Sequence, residues 1–180
     1  MAISGYLVIM PDYYRKTWCD PSDEKIGSFI KEKTDWKNLK EEWEQKIQPF
    51  AEEKGAQYYG SVGTNNICCN FFLYKVLKNI LTRMYNFYNF QFKHSYPGTC
   101  WGSYMVLRLC ENVDFKAGVS FHPSHSPISG LLGESEEEIL KNVKCPQIFM
   151  PAEGDHENTY PGGLGRKLFI NNFSKIIVNF

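Results

Sequence analysis

The chain of 180 residues has no surplus of either charge: 20 Lys and Arg stand against 20 Asp and Glu. A balanced chain offers no field to draw a polyanion, so neither nucleic acid nor an anionic membrane surface is expected as a partner. Long apolar runs are missing as well. The most apolar window, Ile67 to Leu81, is broken by Asn70, Lys75, Lys78 and Asn79 and is too polar to cross a bilayer. Met1-Ala2-Ile3-Ser4 lacks the basic start and apolar stretch of a secretory signal. The six cysteines (Cys19, Cys68, Cys69, Cys100, Cys110 and Cys145) form no C-x-x-C pair and no Cys/His spacing for zinc, so no metal is expected. They read as reduced thiols of a cytoplasmic protein, most of them packed as small apolar side chains. Histidine is scarce: His94, His122, His125 and His156 are all there are.

What the chain does contain is Gly98-Thr99-Cys100-Trp101-Gly102, a G-x-C-x-G pentapeptide. A nucleophile on a sharp strand-to-helix turn needs glycine two places either side, because larger side chains there collide with the strand and helix. Such a turn presents Cys100 to solvent. It also sets the Trp101 N–H at a helix N-terminus, where it stabilises a thiolate or an oxyanion. The chemistry implied is thiolate attack on an acyl carbon. Taken alone, the pentapeptide is equally compatible with a packed structural cysteine.

Around it, strands and helices alternate. Tyr6-Leu7-Val8-Ile9-Met10, stopped by Pro11-Asp12, reads as a buried parallel strand. Arg15 follows in the loop at its carboxyl end, either as a holder of a substrate carboxylate or as a solvated surface residue. Ile26, Phe29 and Ile30 share a helical face. A second helix from about 36 to 54 has Asp35 as N-cap and Leu39, Trp43, Ile47 and Phe50 at core spacing, with Pro49 expected to bend or end it. Residues 57–63 begin a short strand, 103–109 a helix, 116–121 a buried strand ending at His122. Ser135 to Glu138 is a capping box, 147–151 a strand, and Asp155 follows that strand in its loop. A helix is expected near Gly163 and a last strand at 176–178. The order predicts an α/β chain with a mostly parallel sheet flanked by helices, in one domain over 1–180.

Residues 65–96 hold no acidic side chain, and Gly-Thr occurs on both sides of the segment, at 63–64 and 98–99. Joining Thr64 to Cys100 restores strand, elbow and helix without interruption. Residues 65–99 are therefore expected to be an insertion, with translated intron and a true helical insertion (Phe72, Val76, Asn79 and Ile80 on one face) as the two readings.

Four ordered motifs carry a resemblance: Pro11-Asp12-Tyr13-Tyr14-Arg15, the joined Val62-Gly63-Thr64-Cys100-Trp101-Gly102-Ser103, Ser120-Phe121-His122-Pro123-Ser124, and Cys145-Pro146-Gln147-Ile148-Phe149-Met150-Pro151 with Asp155. Together they resemble the dienelactone hydrolase family, which includes carboxymethylenebutenolidase and its eukaryotic homologues. The resemblance implies an α/β-hydrolase fold, incomplete in this chain, and hydrolysis of small lactones or carboxylic esters without metal or cofactor, in a monomer or homodimer. It implies Cys100 as nucleophile, Asp155 as triad acid, the Trp101 N–H as oxyanion donor and Arg15 as substrate-binding residue. His122, in the HPS pattern, belongs on the substrate-binding rim or is a hydrogen-bonded structural histidine. The family's own triad histidine lies just beyond the strand that ends here at Phe180, and no residue of this sequence matches it. None of the four histidines is expected to be the base, so activity is expected to be impaired. The alternative is an inert, truncated or misspliced family member that at most binds small molecules.

Deleting residues 65–99 is expected to raise soluble yield and melting temperature, because the segment is an apolar stretch without acidic gatekeepers inside a strand-elbow unit. A deletion variant that melts below the full chain in the same buffer overturns the insertion reading.

Overall fold

The structure is a computed structural model that describes residues 9, 11–17, 19, 23–33, 35–56, 59–63, 101–165 and 167–168. The strand expected at 6–10 (Ile9 apart), the segment 65–99, Cys100 and the strand expected at 176–178 lie outside the described residues.

Helix α1, Ile26–Lys33, buries Ile30. A longer helical run follows: α2 at Trp36–Glu42, one π-helical turn at Trp43–Ile47 and α3 at Gln48–Glu53. Asp35 caps its start, one carboxylate oxygen accepting from the Lys37 amide at 3.1 Å and the other from the Asn38 side chain at 2.9 Å. The π turn accommodates the proline. Pro49 has no N–H, and its ring crowds the carbonyl four residues back in uniform α geometry. Widening the turn ahead of it, with the Gln48 N–H reaching the Trp43 carbonyl, relieves that crowding. The helix therefore runs through Pro49 instead of ending there. The extra residue turns the following face by about 100°. The expected core face consequently fails at its last member: Phe50 is 47% exposed, and Ala51 is buried in its place.

Strands β1 (Tyr59–Gly63), β2 (Phe115–Phe121) and β3 (Gln147–Met150) pair in parallel in the order β1-β2-β3. Val119 of β2 lies opposite Val62 on one side and Ile148 on the other. Helix α4, Trp101–Leu109, packs on β1 and β2 and begins two residues before the expected Ser103. Its residues from Trp101 to Leu107 are all buried, so this part of the helix is enclosed on every face. Trp43 joins the helical run to this layer, its ring 5.3 Å from Tyr59 and 5.3 Å from Phe115. The architecture among the described residues is α/β, with a small parallel sheet and packed helices.

Helix α5, His125–Leu132, is an element for which the sequence raised no expectation. Pro127 in its first turn and Gly130 near its end argue against a helix, yet both are tolerated. A first-turn proline loses no hydrogen bond, and Gly133 closes the helix in the left-handed region at φ 73°. Helix α6, Glu136–Asn142, starts on Ser135, whose hydroxyl accepts from the Glu138 amide at 3.3 Å. A 3₁₀ turn spans Glu157–Thr159, and 164–165 with 167–168 are helical, near the expected Gly163.

Polar residues brace the end of the layer remote from the strand carboxyl ends. Arg108 is paired with Glu111 at 2.7 Å and with Glu134 at 2.7 Å, and it donates to the Tyr104 hydroxyl at 3.2 Å. Burial alone would lower its pKa; the bonds to Glu111 and Tyr104 outweigh that and raise it. Beside them Cys110 and Cys145 are buried thiols in contact. Burial first, then the hydrogen bond with Cys145, push the Cys110 thiol well up. No helix among the described residues is long and apolar enough to cross a membrane.

The π turn makes a stability prediction. Trp43→Ala should cost about 3–5 kcal/mol, because it removes a large buried ring. Phe50→Ala should change stability by less than about 1 kcal/mol, since only an exposed contact with Lys54 is lost. Urea unfolding of the two variants checks this; comparable losses would mean that Phe50 belongs to the core.

Candidate active site

In an open α/β sheet, ligands collect where parallel strands end. His122 directly follows β2, and its backbone N–H extends the ladder by donating to the Met150 carbonyl at 3.0 Å. Its φ is +53°, in the left-handed region that few non-glycine residues occupy. Such backbone strain persists where the surroundings hold it, often at a functional site. Asp155 lies in the loop after β3. The carboxylate binds both the histidine and its own loop: His122 Nδ1 is 2.9 Å from one oxygen, and the Ala152 N–H donates to the other at 2.8 Å. An ionised carboxylate can only accept, so Nδ1 donates to Asp155 and Nε2 is left outside the pair.

The same loop is tied at several points. The Tyr160 hydroxyl donates to the Ala152 carbonyl at 2.5 Å, and Asn158 donates to Glu136 at 2.7 Å. Glu136 is a hub: it accepts from the Ser126 hydroxyl and lies 3.2 Å from His125 Nε2, an electrostatic contact without an aligned hydrogen bond. Burial would raise the Glu136 pKa. The contacts with His125, Ser126 and Asn158 overcome it and lower the value to about 2.

Trp101 is the first described residue of α4. Tyr13 and Tyr14 cover its ring, each with a centroid 5.4 Å away, so the 13–16 turn sits against the start of α4. The Ser103 hydroxyl, two residues further along that helix, accepts from the Ser124 amide at 2.9 Å. This bond fastens the segment after His122 to the N-terminal end of α4. Cys100, the expected nucleophile, lies outside the described residues and precedes Trp101 in sequence.

Arg15 is placed differently from the other candidates. Its guanidinium pairs with Glu42 of α2 at 2.5 Å, and that bond is the main cause of its raised pKa. Arg15, Lys16, Asp12 and Glu42 border an open cleft of about 490 Å³. Glu42 engages one guanidinium nitrogen, so a carboxylate entering there would meet the N–H groups that Glu42 leaves open. The other described histidines are occupied locally. His125 is 1% exposed and stacks on Phe149 at 5.1 Å. His156 is exposed, its Nδ1 accepting from the Asn158 amide at 3.3 Å. No group of three or more His, Cys, Asp or Glu among the described residues could hold a metal ion.

The pairing of His122 with Asp155 escaped sequence reasoning. Both stood at strand ends in the sequence, but nothing in it showed that the two strands are neighbours. Glu136 was visible only as a capping-box residue. Comparisons with protein-family models, curated proteins and solved structures found no match to this chain.

The lowered Glu136 pKa gives a pH prediction. Between about pH 4.5 and pH 2 the unfolded chain binds a proton at Glu136 that the folded chain does not, so stability falls as the pH falls through this window. The contribution, present in full above about pH 4.5, is roughly 2–3 kcal/mol. Denaturant unfolding from pH 6 to pH 2 should show a shallower acid loss in Glu136→Gln than in the wild type. Parallel acid limbs would remove Glu136 as their source.

Proposed function

We propose that the chain hydrolyses small carboxylic esters or lactones through an acyl-enzyme on Cys100, on an α/β-hydrolase fold of the dienelactone hydrolase type. One observation carries the reading: Asp155, the acid in the motif order, binds an imidazole at the carboxyl ends of adjacent parallel strands. Acyl transfer by a thiol needs a carboxylate-oriented histidine and an N–H donor for the oxyanion. The Trp101 N–H at the head of α4 is the candidate donor. Arg15, held by Glu42 through one nitrogen, enters as the group that would pair with a substrate carboxylate. A cytoplasmic setting suits the reading, since a reducing compartment keeps a nucleophilic thiol free.

Exposure to p-nitrophenyl acetate should release a stoichiometric burst of p-nitrophenolate, lost in Cys100→Ala. Limiting iodoacetamide should label Cys100 ahead of Cys19; burial already protects Cys110 and Cys145, so Cys19 is the informative comparison. A burst that survives Cys100→Ala, or equal labelling of Cys100 and Cys19, overturns the proposal.

A further inference from the structure

His122 differs from the other described histidines. His125 is sealed in the core between Glu136 and Phe149, and His156 caps a turn. His122 has one nitrogen fixed by a carboxylate that is itself held by its loop. Its side chain is 15% exposed, and its Nε2 has no hydrogen-bond partner among the described residues. A fixed Nδ1–H with an open Nε2 is the arrangement of a general base. The position is also built rather than incidental. The chain accepts a left-handed backbone at a residue with a side chain, the ladder bond to Met150 fixes one side of it, and the Ser124–Ser103 bond fixes the other. That last bond draws the histidine's segment to the head of α4, the helix whose N-terminal amide is the oxyanion candidate.

We infer that His122, oriented by Asp155, is the general acid–base of this site. It does so from the end of strand β2, whereas the histidine implied by the family resemblance comes from after a later strand. The inference rests on the hydrolase reading above. In acylation, His122 Nε2 takes the thiol proton as the sulfur–carbon bond forms, then gives it to the departing alkoxide as the ester carbon–oxygen bond breaks. In deacylation it takes a proton from water as the oxygen bonds to the acyl carbon. The carbon–sulfur bond breaks, the proton returns to the thiolate, and the free acid and free thiol are restored. Asp155 is a positioning residue in this cycle. The consequence is turnover, where the sequence alone led to the expectation of impaired activity.

Burst and steady-state phases with p-nitrophenyl acetate separate the two proposals. The wild type should show a Cys100-dependent burst followed by turnover. In His122→Gln, whose amide can still donate to Asp155, the burst should keep its Cys100-dependent amplitude but form more slowly, while turnover falls at least about 10²-fold. His122→Ala should lose turnover likewise and regain part of it in added imidazole, which a merely structural role would not allow. Diethyl pyrocarbonate on the wild type repeats the test without a substitution: turnover should fall in step with carbethoxylation of His122, followed by peptide mapping. Turnover unchanged in His122→Gln, turnover surviving full modification of His122, or a wild type that acylates and stalls each overturns the inference while leaving the nucleophile in place. Absence of any Cys100-dependent burst in the wild type instead removes the hydrolase reading, and the inference with it.

Discussion

Parallel pairing on both sides of β2 is the constraint on which the described structure depends. A parallel strand cannot return to its neighbour by a tight turn, so each connection must carry chain across a face of the sheet. Between β2 and β3 that chain is α5 and α6. The pairing also aligns strand ends: β2 and β3 run the same way, and the segments after them emerge side by side. His122 and Asp155 are 33 residues apart in sequence and meet for this reason alone.

Two polar hubs then hold the layers at opposite ends. Arg108 ties the end of α4 to Glu111 and to Glu134 between α5 and α6. Glu136 ties the starts of α5 and α6 to the loop that carries Asp155. Half-buried charges of this kind are poor sources of net stability, since desolvation offsets most of the attraction, but losing one partner strands the other. Their effect is to fix geometry. Glu136 in particular holds Asn158, three residues from the carboxylate that orients His122.

Local signals in the sequence were legible where the chemistry is local. Asp35 and Ser135 cap the helices they were expected to cap, and the apolar runs at 116–121 and 147–150 became strands. Errors came where one element answers to another. The face of the long helical run was misjudged from Phe50 onward because a π turn absorbs Pro49, and helical periodicity assumes no inserted residue. Helix α5 was missed because its proline and glycines are unfavourable in isolation; burial of Ile128 and the close packing of α5 on α4 decide the matter. Of the candidate site, the positions of Asp155 and His122 at strand ends could be read, and their partnership could not. Arg15 was legible as a loop arginine but not as the partner of Glu42, which comes from a helix 27 residues on.

The buried thiols Cys110 and Cys145 bear on how the protein meets electrophiles. Protonated sulfur is a poor nucleophile, and a raised pKa combined with burial keeps Cys110 protonated and out of reach. Its interior position therefore makes it a weak sink for alkylating agents or peroxide. Damage or covalent inhibition in a stressed cell would fall first on thiols outside this packed layer, leaving the core thiols intact while chemistry elsewhere is lost.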